Sequence, residues 1–257
     1  MSIQMYKATL SPSTEVYLHS YPSTGLPGSQ SAYTFMCWLN SNVWATGATA
    51  TASIAGLYNG TNDAATVPTT GLQIGASSNN VVTCWTFGGT VLVSTTGFTP
   101  PVNTWFHIAY SCTAIAGGNQ THSIYINGVL NNTATNALQT AGTYTMVYLN
   151  GFPQTTAAAA TYTETSLTQQ DDTMVFNRQL SAAEILTVYT SFGMRDGDVY
   201  GLVARYNFNE LPVGSNTTGV RDFSGLGNNL LVVNRGGGTV PTYLVDYSSS
   251  DTRPPQG

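Results

Sequence analysis

Carboxylates, imidazoles and thiols are the side chains of this chain that could do chemistry, and their spacing argues against each kind of catalysis. The glutamates are only Glu15, Glu164, Glu184 and Glu210, and none is spaced with an aspartate to place two carboxylates on one strand face. Hydrolysis of a glycosidic bond needs such a pair roughly 5–9 Å apart across the sugar ring. Asp171 and Asp172 are adjacent, and successive residues of a strand point to opposite faces. Asp196-Gly197-Asp198 reads as a solvated turn. His19, His107 and His122 have no Gly-x-Ser-x-Gly elbow to serve, and His107 reads as a packing residue. Cys37, Cys84 and Cys112 are odd in number and sit in the apolar runs FMCWL, VVTCWTF and AYSCT. They read as buried small hydrophobes and not as a disulfide or metal set. No catalytic residue is expected.

Composition narrows the partners. Charged residues make up 7% of the chain, against about 25% in ordinary soluble domains, so Thr, Ser, Asn and Gln must carry solubility. With 7 Lys+Arg and a net charge of -5 there is no basic stripe, and nucleic acid is not an expected partner. No apolar run reaches the length of about 18 residues that a membrane span needs. The opening MSIQMYKATLSPSTEVYL lacks the charged and apolar regions of a cleaved export signal. The sequons at Asn59, Asn119, Asn131 and Asn216 carry little weight in a chain so rich in Asn and Thr.

These groups must be positioned by strands. Trp105, His107, Ala109 and Ser111 alternate with Phe106, Ile108, Tyr110 and Cys112, which predicts one strand with two distinct faces. His122 to Ile126 alternates again, and Asn127-Gly128 supplies a two-residue hairpin turn that sends Val129 back. Glu15–His19, Ala32–Asn40, Ile54–Tyr58, Gly71–Gly75, Val81–Phe87, Val91–Thr95, Tyr144–Leu149, Asp171–Asn177, Tyr200–Asn209 and Leu230–Val233 also read as strands. Ser181-Ala182-Ala183-Glu184 is a capping box opening one short helix near residues 181–191. The expected organisation is one antiparallel sandwich over residues 1–246 and an extended C-terminal tail over 247–257.

Four strings in order, Thr34–Trp38, Asn103–Tyr110, Ile124–Val129 and Asp172–Ile185, resemble the concanavalin A-like lectin/glucanase superfamily. The nearest likeness is to its laminin-G-like, pentraxin-related domains, of the kind found in bacteriophage structural proteins. The resemblance covers about residues 8 to 190 and implies an all-β, antiparallel jelly-roll sandwich of two curved sheets, with six or seven strands in each. Two departures stand out. The family's opening strand and its Asp-x-Ser-Gly loop are matched only at the far end, by Gly201–Glu210 and Asp222–Asn229. Either the domain is permuted or the tail supplies an edge strand, to itself or to a neighbour. The family's Asp in the hairpin turn is Asn127, which removes a carboxylate and keeps the turn.

The resemblance also implies a candidate site for a structural calcium ion, with Asp172 or Asp171, Asp222 and Asn228 at the matching positions. Against it, Asp222 suits a cap on its own Gly-rich turn, and no dense acidic cluster is present in the sequence. Sugar binding would use exposed aromatics in or beside loops, and Trp44, Tyr58, Tyr144, Tyr148 and Phe152 are the candidates. Low charge, the absent export signal and the displaced terminal strand together point to a non-enzymatic virion protein. Such a decoration (cement) or tail-surface protein would be lattice-bound or homo-oligomeric and hold neighbouring capsid or tail subunits. The alternative is a lectin module that binds surface glycans.

Overall fold

The structure is a computed structural model that describes residues 3–4, 16–20, 22–41, 52–59, 72–76, 81–86, 91–137, 141–149, 168–191, 200–208 and 220–234. The 247–257 tail lies outside them. Two seven-stranded antiparallel sheets face each other. One runs β1 (Ile3–Gln4), β12 (Thr168–Phe176), β3 (Tyr33–Ser41), β8 (Phe106–Cys112), β9 (Asn119–Ile126) and β10 (Val129–Ala137), with β13 (Leu202–Tyr206) also paired to β12. The other runs β14 (Leu231–Asn234), β2 (Val16–Ser20), β11 (Met146–Leu149), β4 (Ala52–Tyr58), β5 (Leu72–Ala76), β6 (Val82–Thr86) and β7 (Val91–Ser94). The expected all-β jelly-roll sandwich is the observed architecture.

The alternation read along β8 sets the two faces of the first sheet. Phe106, Ile108, Tyr110 and Cys112 point inward with Tyr33, Phe35, Cys37 and Leu39 of β3, meeting Ile54, Leu57, Val82, Cys84, Val147 and Leu149 of the second sheet in one core. The three cysteines are free and buried, and burial pushes the Cys112 thiol up to about 12, so they behave as small apolar groups. The opposite face of the first sheet carries Met36, Ala109, Tyr125, Met174 and Phe176. Onto these packs the helix α1 (Ala182–Thr190) through Ile185 and Val188. The capping box forms as the spacing predicts: Ser181 Oγ accepts from Glu184 N, and Glu184 Oε2 accepts from Ser181 N. Alternation on β8 thus separates a sandwich core from a helix-covered outer face.

Turn chemistry docks the helix. Asn127 and Gly128 have φ of 50° and 77°, as a type I′ hairpin demands. Asn127 Oδ1 accepts from His107 N at 2.8 Å while its own N donates to His107 O at 2.9 Å. The family's carboxylate is gone and its acceptor role remains. A Cβ on Gly128 would lie 2.9 Å from Leu186 Cδ1 and 3.0 Å from Tyr189 Cδ1, so the helix rests directly on the turn.

The displaced strand pairs within the chain. β13 lies antiparallel to the second half of β12, with Thr173 opposite Tyr206 and Phe176 opposite Leu202. The N-terminal β1 takes the same edge of β12 further along, with Ile3 opposite Gln170. The register of β12 against β3 shifts between Asp171 and Met174, where Asp172 has a φ of 40°, so a bulge marks the junction of the two partners. β14 closes the second sheet against β2. Free edges are blocked with side chains. Asn132 and Asn136 of β10 donate to the carbonyls of Ser94 and Leu92 on β7. Asn131 exchanges two bonds with the backbone of Thr96, at 2.7 and 3.1 Å. These asparagines occupy acceptors that a foreign strand would otherwise find.

Candidate functional site

The four positions implied for calcium build a hydrogen-bonded knot. Asp222 Oδ1 accepts from Arg205 N (2.9 Å) and Ser224 N (2.8 Å), and Oδ2 accepts from Ser224 Oγ (2.6 Å) and Asn228 N (2.9 Å). A carboxylate has about four acceptor sites, and all are taken. Asn228 accepts from Thr24 N at 2.7 Å and donates to Thr24 O and Val203 O at 2.9 and 2.7 Å. Asp172 faces Arg205 Nη2 at 3.4 Å, and burial, partly offset by that guanidinium, raises its pKa. Asp171 Oδ1 accepts from Asp172 N. Asp222 therefore does not fit a calcium site, because its oxygens are spent tying the 220s loop to β13, while Asn228 ties the same loop to residue 24. Among the described residues no three His, Cys, Asp or Glu converge as a metal cluster.

The aromatic candidates need correction too. Tyr58, Tyr144 and Tyr148 are 1%, 4% and 0% exposed and cannot offer a ring face to a ligand. Tyr144 OH meets Tyr33 OH at 3.3 Å, beneath a tilted Tyr33–Tyr110 pair. Tyr144 joins the sandwich core, whereas Tyr58 and Tyr148 alternate with the core residues Leu57, Val147 and Leu149 and are buried on the opposite face of their sheet. Trp44 and Phe152 lie outside the described residues. His107 is a packing residue, as expected. It is 1% exposed, with its ring 5.4 Å from Trp38 and 5.8 Å from Tyr189, and burial lowers its pKa to about 3. His122 Nδ1 meets Tyr110 OH at 2.7 Å inside the sandwich.

An open cleft of about 410 Å³ lies beside α1, and sequence reasoning missed it. Its floor is apolar, from Phe176, Leu180 and Val188; its rim is Arg178, Glu184 and Tyr200. Arg178 is held by several contacts. Nε donates to Tyr200 O at 2.8 Å, Nη2 pairs with Glu184 Oε1 at 2.7 Å, and the guanidinium sits 5.2 Å from the Tyr200 ring centroid. A Cβ on Gly201 would come within 3.0 Å of its stem. The guanidinium of Arg178 and the Ser181 donors hold the Glu184 carboxyl down to about 2. Tyr200 is 79% exposed. Within the family-like string Asp172–Ile185, the capping box is the local sequence signal near this site. It places Glu184 on the first helical turn, but nothing local brings Tyr200 across 22 residues to Arg178.

Two packed antiparallel sheets, a helix on one outer face and a polar-aromatic cleft beside it define a lectin-like β-sandwich. The chain belongs to the concanavalin A-like lectin/glucanases superfamily, whose model matches residues 13–186. No curated protein matches. Among solved structures, a Bacteroides ovatus protein described as a candidate carbohydrate binder shares 13% identity at a TM-score of 0.57. The match covers 90% of this chain and 57% of that one, so the chain spans a little over half of that protein's length. A native heptameric SAP-like pentraxin from Limulus polyphemus shares 13% identity over 93% of this chain and 97% of its own, at the same TM-score of 0.57. At such identities the likeness is one of fold. Among the described residues no helix is long and apolar enough to cross a membrane.

Proposed function

We propose that this chain is a non-enzymatic carbohydrate-binding module. The observation that carries the reading is the open cleft, in which an exposed tyrosine lies beside a fixed ion pair over an apolar floor. Sugars present an apolar C–H face and a polar edge, and such a surface complements both. Membership of a lectin/glucanase superfamily and the fold shared with a candidate Bacteroides ovatus carbohydrate binder support the same reading. Catalysis is not part of it: Glu184, the one glutamate among the described residues, is bound to Arg178 and to its helix cap. Affinity electrophoresis through gels containing soluble polysaccharides tests this. Retarded migration on at least one polysaccharide, with no new reducing ends, is the expected result. Unretarded migration on all of them, or steady release of reducing sugar, overturns it.

A second reading, a decoration or tail-surface protein binding neighbouring virion subunits, is favoured by the 7% charge content. Its support from a spare terminal strand is gone, because β13 and β14 pair in cis. Mass spectrometry of purified particles decides it: a chain absent from them has no such role.

A further inference from the structure

We propose that the cleft beside α1 binds one or two uncharged pyranose rings, stacked on Tyr200 and bridged by their hydroxyls to Arg178 and Glu184, and that it turns acidic sugars away. The inference rests on the carbohydrate-binding reading and adds the place and the charge class of the ligand. At about 410 Å³ the cleft is at the small end of ligand sites, which typically occupy about 300–1,000 Å³, so it suits a short glycan and not a long chain. Its floor side chains, Phe176, Leu180 and Val188, are 1%, 2% and 6% exposed and already seated against the sheet. They offer a rigid apolar base.

The rim supplies directional groups in both senses. A guanidinium has five N–H donors, and Arg178 spends Nε on Tyr200 O and one Nη2 hydrogen on Glu184. The remaining donors can reach a ligand oxygen. Glu184 Oε2 accepts from Ser181 N and Ser181 Oγ, both at 2.8 Å, while Oε1 takes Arg178 and keeps a second lone pair. Two neighbouring hydroxyls of a sugar can therefore accept from Arg178 and donate to Glu184 at once, as alcohols do and carboxylates do not. Arg178 lies over Tyr200, and this residue, 79% exposed, keeps ring surface for a C–H face. The four contacts that hold Arg178 mean that little side-chain entropy is lost on binding.

Charge selects the class. Arg178 and Glu184 pair at 2.7 Å and cancel, so the cleft has no net positive charge to draw a carboxylate. An acidic sugar that approached Arg178 would place its carboxylate against that of Glu184. Removing the glutamate charge should invert the preference. Glutamine at this position still closes the capping box, so Glu184→Gln changes charge and spares the helix start.

The test is an array of immobilised neutral and sialylated or uronate glycans, probed with the full chain, Tyr200→Ala, Glu184→Gln, and Val102→Ser as a surface control away from the cleft. The wild type and Val102→Ser should bind neutral glycans, and Tyr200→Ala should bind them about tenfold or more weakly. Glu184→Gln should lose neutral binding and gain acidic glycans. Unaltered thermal melts separate these effects from misfolding. Neutral binding that survives in Tyr200→Ala puts the sugar elsewhere and overturns this proposal, leaving the carbohydrate reading intact. Preference of the wild type for acidic glycans overturns the charge argument. A wild type that binds no glycan removes the carbohydrate reading and this inference together.

Discussion

His107 shows what burial does to a single titratable residue. Its ring packs against Trp38 on β3 and Tyr189 on α1, which also stack on each other, and desolvation lowers its pKa from 6.5 to about 3. His122, buried beside Tyr110, is lowered to about 4. The folded protein thus keeps both rings neutral where the unfolded chain protonates them. Their contribution to stability is complete above the unfolded value of about 6.5 and is lost as pH falls toward the folded values. Between pH 7 and about pH 5 His107 alone should cost about 2 kcal/mol. Urea melts at the two pH values should show that loss, and His107→Phe should remove most of its share. An unchanged slope in the variant would mean that His107 is protonated in the fold. The residue type was legible in the sequence as packing. Its depth was not, because that depends on a helix arriving more than 70 residues later.

Elements are joined here by turn and edge chemistry more than by charge. The β9–β10 turn carries α1 on its glycine, so Gly128→Ala should both strain a φ of 77° and set a methyl 2.9 and 3.0 Å from Leu186 and Tyr189, which must then shift. A loss of about 2 kcal/mol or more is expected from the left-handed backbone and the displaced packing together. Chemical denaturation measures it, and a loss below about 0.5 kcal/mol would show that the helix does not rest on this turn. The turn itself was evident from Asn127-Gly128, and the helix start from Ser181 and Glu184, because both are local patterns. That the two meet was not evident. The clasp of Asn132 and Asn136 on β7, and of Asn131 on Thr96 just beyond it, was also hidden, since a polar strand spells out no partner. Asp222 caps its own Gly-rich turn through Ser224 and Asn228, the alternative that its position also suggested.

At the scale of the molecule, both sheets are finished by residues beyond the family-matched 13–186. β13 covers half of β12, Tyr206 and Phe208 enter the main core, and Asn228 ties the loop before β14 to residue 24. A chain ending after residue 191 should therefore expose the edge of β12 and lose cooperative folding. Far-UV circular dichroism and thermal melts check this; a truncated chain that melts like the full one would show β13 and β14 to be dispensable.

The antiparallel sandwich, the face of each β8 residue, the hairpin turn and the one capped helix were written in the sequence alone, because alternation, turn residues and caps act over a few neighbouring positions. Tertiary structure decided the rest. It buried Tyr58, Tyr144 and Tyr148, paired the displaced strand in cis and set Tyr200 against Arg178. Each of these outcomes depends on which distant segments meet, and solvent exposure is a property of that meeting and not of any residue by itself.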